Sequence, residues 1–222
     1  MNVAIVQARM SSDRLPGKVL RELKGKPMLA WTLDRLYGAK LLDEVVVATS
    51  THASDDVIEE FCIEYGAKCF RGPLHNVANR FYAVITKMQI HQFVRISGDS
   101  PLIDPAVVDE AVGLYEKSAV DLVTNVQNRT FPRGQSVEVV RASTFRDVCA
   151  LLDSALDKEH VTRYFYRRQE RYKMVNFETP FFAAKQNLSV DTLADFEFVS
   201  RLIQISNGSP GTWRELLSIE AA

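Results

Sequence analysis

Residues 3–18 read VAIVQARMSSDRLPGK. The opening run, Val3–Gln7, is short, apolar and rich in branched side chains, and it passes without a break into a polar stretch, Ala8–Lys18. A run of that kind suits a strand buried on both faces, and strands buried on both faces belong to parallel sheets. The chain repeats the pattern outward from there. Pro27 suits the first helical position, and Leu29, Leu33 and Leu36 fall at i, i+4 and i+7 before Gly38. EVVVAT (44–49) is a second buried strand. Ser54–Gly66 reads as a helix, with Ile58, Phe61, Cys62 and Tyr65 on one face, acids in the first turn and Gly66 at its close. Lys68–Arg71 is a third strand, Asn76–Lys87 a third helix and Phe93–Ile96 a fourth strand. Asp104 and Pro105 then open the helix Pro105–Lys117 with a capping acid and an N1 proline. Strand and helix alternate four times, which predicts a three-layer α/β/α fold around a mostly parallel sheet.

The second half is less regular. Asp121–Asn125 and Ser136–Val140 read as strands around a turn-rich segment, QNRTFPRGQ (127–135). Ala142–Leu152 and Lys158–Arg168 read as helices, Tyr172–Phe177 and Leu188–Val190 as strands, and Leu193–Ile205 as a helix. The expectation is one domain over 1–222, with a core of 1–123 and 188–222 and a small inserted lobe at about 124–187.

The chain has 222 residues, 46% hydrophobic and 25% charged, which is ordinary globular usage and excludes a disordered, coiled-coil or collagen-like chain. A chain of this length buries roughly 70% of its unfolded surface, so it needs no disulfide or metal staple. Lys and Arg number 27 against 28 Asp and Glu. That balance argues against a general nucleic-acid binder while leaving room for a local cationic pocket. No apolar run approaches the ~18 residues of a membrane span. The start, MNVAIVQARM, lacks the basic and apolar regions of a secretory leader. Cys62, Cys69 and Cys149 are odd in number and match no metal spacing, as for reduced thiols in a cytoplasmic protein.

In an open α/β sheet, ligands bind beyond the carboxyl ends of the strands, so the loops there carry the chemistry. The first, Ala8–Lys18, holds Arg9, Arg14 and Lys18, the hydroxyls of Ser11 and Ser12, and the flexible Gly17. Three cations at the end of the first strand would hold a triphosphate of roughly four negative charges. The alternative is a solvated charged loop, and neither common glycine-rich phosphate fingerprint is present. The second loop, SGDSPLIDP (97–105), sets Asp99 on a tight turn. A carboxylate there suits Mg²⁺, which takes one or two carboxylates plus phosphate oxygens. A turn Asp bonded to its own backbone is the alternative. The third loop, SVDTLAD (189–195), pairs Thr192 with Asp195 in a capping-box pattern, leaving Asp191 free unless it is itself the cap. If its strand adjoins the fourth, Asp191 and Asp99 would share one metal ion. Farther on, Glu159 and His160 are candidates for substrate hydroxyls, though a lone His serves equally as a structural residue. RTFPRGQSVE (129–138) offers Arg129, Arg133, Gln135 and Glu138, either to a polar small molecule or as an exposed hairpin.

VAIVQARMSSDRLPGKVL (3–20) resembles the N-terminal signature of the sugar-activating cytidylyltransferases. The likeness is greatest to the branch named for spore coat polysaccharide biosynthesis protein F. Its relatives include the 3-deoxy-manno-octulosonate and N-acylneuraminate cytidylyltransferases. VVVATS (45–50), NRFYAV (79–84), VRISGDSPLIDP (94–105), the segments around RTFP (129–132) and VEV (137–139), EHVTRY (159–164) and SVDTLADFEFV (189–199) continue it in order. The resemblance implies a nucleotide-sugar-transferase-like sheet of the glycosyltransferase type A, or Rossmann-like, class. It implies that Gln7, Ala8, Arg9, Met10, Ser11, Ser12, Arg14 and Lys18 line the nucleotide, with Arg71, Asn79, Arg80, Ser97 and Gly98 around them. It further implies Mg²⁺ on Asp99 and Asp191, a sugar side of Arg133, Gln135, Glu138, Glu159 and His160, and a homodimer built through the lobe. Asn79 stands where relatives carry an acid, and Gln135 stands where close relatives carry one before VEV. The first alters a contact in the nucleotide-facing helix; the second, with differences in Asn128–Arg133, lies on the sugar side and points to an acceptor other than the branch's usual one.

The implied reaction is attack of a sugar hydroxyl on the α-phosphate of CTP, with pyrophosphate leaving. Lys18, Arg9 and Asp99 would carry it by positioning and charge neutralisation. Small molecules are then the partners, with neither nucleic acid nor membrane. Two competing readings keep the fold: a glycosyltransferase using a ready-made nucleotide sugar, and a catalytically silent nucleotide-binding relative.

Overall fold

In the computed structural model, which describes residues 1–220, the strand β1 (Asn2–Gln7) lies inside a seven-stranded sheet, third from one edge. A short hairpin, β2 (Glu22–Leu23) and β3 (Lys26–Pro27), precedes α1 (Met28–Tyr37). Strands and helices then alternate: β4 (Glu44–Ser50), α2 (Asp56–Tyr65), β5 (Lys68–Gly72), α3 (Val77–Lys87), β6 (Gln92–Ser97) and α4 (Pro105–Glu116). β7 (Leu122–Thr124), β8 (Glu138–Arg141), α5 (Ala142–Cys149), α6 (Ala155–Glu159), α7 (Arg163–Arg167), β9 (Met174–Asn176), α8 (Leu193–Ile205) and α9 (Trp213–Glu220) follow. The sheet order is β5-β4-β1-β6-β8-β7-β9. Every neighbouring pair is parallel except those made by β8, which runs against both β6 and β7.

The alternation in β1 explains the layers. Val3 and Ile5 point to one face and pack with Phe81 of α3, Phe145 of α5 and Phe165 of α7. Ala4 and Val6 point to the other and pack with Leu33 of α1, Val108 of α4 and Val199 of α8. Burying each such side chain contributes about 1.5–3 kcal/mol, and a strand apolar on both faces gains this only between two helical layers. The caps read from the sequence form as expected. The Asp104 carboxylate accepts the Ala106 N–H at 3.0 Å ahead of Pro105, and Thr192 and Asp195 cap α8 reciprocally. Cys62, Cys69 and Cys149 are free thiols.

Within the stretch 124–187, β8 and β9 pair into the central sheet, while α5 and α7 pack on the α3 face. Three local expectations change. Lys158–Arg168 is not one helix, because His160 leaves the helical backbone (φ −102°, ψ 82°) and separates α6 from α7. The fully buried Asp157 carboxylate stabilises that corner by binding Arg163 at 2.7 Å and Arg167 at 2.6 Å. Leu188–Val190 forms no strand, because its N–H groups go to two different loops. Leu188 donates to the Arg133 carbonyl and Val190 to the Asp99 carbonyl, each at 2.9 Å. The β2–β3 hairpin turns at Lys24 and Gly25, both with positive φ, in a stretch with no strand-like alternation to announce it.

Candidate active site

β1 delivers the first loop to the carboxyl edge of the sheet, and backbone contacts hold it there. Ala8 N–H bonds the Ala48 carbonyl at 3.2 Å, while the Met10 carbonyl accepts from Ser12 at 3.0 Å and Gly17 at 2.9 Å. Gly17 closes that turn at φ +70°, a conformation open to glycine at little cost. A buried carboxylate completes the anchoring. Asp55 accepts the Met10 N–H at 2.8 Å on one oxygen, and the Ser50 N–H at 3.3 Å and Ser50 Oγ–H at 2.5 Å on the other. Gly98 sits against β1 so closely that an added Cβ would lie 2.8 Å from the Gln7 carbonyl oxygen.

These contacts leave a cavity of about 450 Å³ between the first loop, β6, α3, the α6–α7 corner and the segment before α8. Of the residues expected at a site, Gln7, Ala8, Arg9, Ser11, Ser12, Arg14, Lys18, Arg80, Ser97, Asp99, Glu159, His160 and Asp191 line it; Asp13, Val19 and Val77 complete its wall. The chain brings together residues from four loops that are up to 184 positions apart (Gln7 to Asp191).

The charges are arranged in pairs across the cavity. Lys18 donates to Asp99 Oδ2 at 2.9 Å, Asp191 Oδ1 at 2.9 Å and the Val190 carbonyl at 2.7 Å. Arg14 meets the second Asp191 oxygen at 3.0 Å, and Arg9 meets Glu159 at 2.8 Å. Arg80 is different. It is 1% exposed, and its Nε and Nη1 have no hydrogen-bond partner among the described residues. Burial pushes its pKa down, and the nearby Arg9 charge pushes it further. A buried guanidinium normally bonds an acceptor, so Arg80 has donors to give to an anion in the cavity it lines. Asp99 and Asp191 are the residues able to hold a divalent cation. They are hard oxygen donors bracketing one position, and no cluster of three or more ligating side chains occurs among the described residues. That incomplete set fits Mg²⁺, which keeps places for phosphate oxygens and water.

Other expected residues lie elsewhere. Arg71 is spent on α2 and the loop before it: Glu59 at 2.8 Å, Asp56 at 2.5 Å and the Ser50 carbonyl at 2.8 Å. Asn79 is exposed on the first turn of α3, away from the cavity wall. Met10 and Gly98 shape the wall through their backbones rather than lining it. Gln135 is fully buried outside the cavity wall; its amide donates to the Leu102 carbonyl at 2.7 Å and accepts the Asp104 N–H at 2.8 Å. Glu138 is buried between Arg95, at 2.5 Å, and the Tyr166 hydroxyl. Burial and the Glu138 charge drive the Tyr166 phenol far above its ordinary range. Arg133 is exposed, joined to Asn187 by a backbone bridge. Sequence reading missed Asp55, since an acid beside a helix start looks like an ordinary cap.

A family model described as cytidylyltransferase matches residues 3–208. The chain is 34% identical over 215 residues to the spore coat polysaccharide biosynthesis protein SpsF of Bacillus subtilis, covering 93% of this chain and 88% of that one. It is 38% identical over 128 residues to a 3-deoxy-manno-octulosonate cytidylyltransferase of Geobacter sulfurreducens, covering 56% of this chain and 50% of that one. Among solved structures, a cytidylyltransferase from Leptospira borgpetersenii has a TM-score of 0.93 at 29% identity, covering 98% of this chain and 92% of that one. The CMP:2-keto-3-deoxy-manno-octonic acid synthetase complexed with CTP shares the fold, with a TM-score of 0.72 at 21% identity, over 92% of this chain and 99% of that one.

Proposed function

The chain belongs to the cytidylyltransferase family, and from that premise we propose that it transfers CMP from CTP to a hydroxyl of a sugar or sugar acid. The observation that carries this reading is the cavity itself. It gathers three first-loop cations and the partnerless Arg80 opposite the carboxylates Asp99 and Asp191.

In the proposed reaction, the acceptor oxygen forms a bond to the α-phosphorus. The bond from that phosphorus to the bridging oxygen breaks, pyrophosphate leaves with the electron pair, and the hydroxyl proton passes to solvent. Arg9, Arg14 and Arg80 bind the triphosphate, with the hydroxyls of Ser11 and Ser12 beside them. The backbone around Ala8, fixed by Ala48 and Asp55, faces the base. Lys18 neutralises charge that builds on the leaving group, and loss of such a donor costs about 3–4 kcal/mol of transition-state stabilisation. Glu159 and His160 lie on the rim at the α6–α7 corner, where they orient the acceptor. Mg²⁺ held by Asp99 and Asp191 would supply charge neutralisation at the phosphates.

The likeness to SpsF supports a role in cell-surface polysaccharide or glycoconjugate synthesis. The three free thiols suit a reducing compartment, and we propose the cytoplasm. Exposed Phe181 and Phe182 offer an apolar surface to a second copy in the proposed homodimer.

The test is pyrophosphate release from each of the four NTPs with Mg²⁺ and a panel of sugars, ulosonic acids and nonulosonic acids. Sugar-dependent release from CTP alone is expected. CTP binding without release from any pair would leave a silent relative or a user of ready-made nucleotide sugars. Absence of nucleotide binding would overturn the assignment of the first loop.

A further inference from the structure

Lys18 is saturated. An ammonium has three N–H donors, and Asp99, Asp191 and the Val190 carbonyl take all three at 2.7–2.9 Å. Its side chain is only 10% exposed. The second Asp191 oxygen is already taken by Arg14. In this arrangement Lys18 has nothing left to give a phosphate. The place between the two carboxylates is also filled by a cation of the chain's own.

A divalent ion entering there would sit against the ammonium, and like charges at contact repel. Removing the ammonium with nothing to replace it would leave two close carboxylates facing one another, which is also unfavourable. A nucleotide resolves both problems at once. Its phosphates are acceptors for Lys18 and Arg14 at least as strong as the carboxylates those cations leave. The vacated carboxylates then take a metal ion that also meets the phosphates.

Resting on the reading of Asp99 and Asp191 as metal carboxylates, we propose that Lys18 is a resident counter-ion that occupies their cation position until a nucleotide draws it away, so that metal and nucleotide enter together rather than metal first. Reciprocity follows: the factor by which nucleotide tightens the metal is the factor by which metal tightens the nucleotide.

The experiment measures Mn²⁺ binding by electron paramagnetic resonance, without nucleotide, on the full chain, with circular dichroism to confirm folding. Lys18→Met should bind Mn²⁺ at least tenfold more tightly than the wild type. Adding Asp99→Asn to Lys18→Met should remove the gain. Arg14→Ala, which alters a side chain 65% exposed, should fold and show a gain of a few-fold. A folded Lys18→Met that binds Mn²⁺ no more tightly than the wild type overturns the proposal. If Lys18→Met does not fold, an Arg14→Ala variant with no gain overturns it instead. A separate arm adds a CTP analogue with a methylene between the α- and β-phosphates. If the wild type then binds Mn²⁺ no differently from Asp99→Asn, the metal assignment itself fails. If the wild type binds with the analogue present and Lys18→Met gains nothing without it, only the exchange fails.

Discussion

Asp55→Asn isolates the anchoring of the first loop while keeping the volume of the side chain. The carboxylate accepts on both sides, from Met10 N–H on one oxygen and from Ser50 N–H and Oγ–H on the other. An amide has one oxygen, so one side must lose its acceptor. The less costly orientation keeps Met10 on the oxygen and turns the NH₂ toward Ser50. Ser50 Oγ can rotate to accept, but the Ser50 N–H, which is buried, is left without a partner. A hydrogen bond to a charged group contributes about 1.5–3 kcal/mol, and the stranded donor sets the loss at about 2–3 kcal/mol. For a chain of this length that lowers Tm by about 5–10 °C. The site should suffer as well. Asp55 is a nearby negative charge for the partnerless Arg80, and its neutralisation alters the field where the phosphates bind. Thermal unfolding with and without CTP reads both effects. A variant that melts within about 1 °C of the wild type and shows the same CTP-induced shift would refute the claim that Asp55 holds the loop.

Arg80→Met replaces a buried cation whose Nε and Nη1 have no partner among the described residues, so the ligand-free protein should melt no lower than the wild type, while the Kd for CTP should weaken at least tenfold, about 1.4 kcal/mol, by calorimetry. Gly134→Ala should lower Tm by about 10 °C, because the backbone there has φ +88° and the new Cβ would lie 2.6 Å from the Leu188 carbonyl carbon. Scanning calorimetry checks it, and CTP binding should weaken with it because the displaced segment leads to Asp191. For Asp157, burial opposes ionisation, but the Ser154 hydroxyl, Arg163 and Arg167 outweigh it and hold the carboxyl below its ordinary 3.8. A depressed folded-state pKa gives stability that is present above the unfolded value and lost as pH falls through the folded one. Urea unfolding below about pH 4 should therefore show a steeper acid loss in the wild type than in Asp157→Asn.

The layered architecture was legible because β1, β4 and β6 are apolar on both faces, and only helices on both sides of a sheet satisfy such strands. The first loop was legible because Arg9, Arg14 and Lys18 crowd a strand end, and Asp99 because it follows the fourth strand; Asp191 reaches Lys18 although the segment before it is not the strand expected there. What was not legible depended on contacts between distant segments. Gln135 looks like an acceptor contact in a turn-rich stretch, yet Leu102 and Asp104 claim its amide, and no local pattern announces them. Resemblance alone puts Arg71 beside the nucleotide, but α2 presents Asp56 and Glu59 to it. The break at His160 came from the buried Asp157, whose two arginines lie on the far side of the kink.

The bonds of Lys18 also set a schedule. Its carboxylate partners lie 81 and 173 residues downstream. During synthesis, β1 and the first loop leave the ribosome long before Asp191 is made. A nascent chain can build much of the sheet and still carry this lysine without its second carboxylate. Nucleotide bound as proposed would meet such a chain's first-loop cations without the carboxylate pair that Asp191 completes. The complete site would form only after the segment that leads into α8 has folded back onto Asp99.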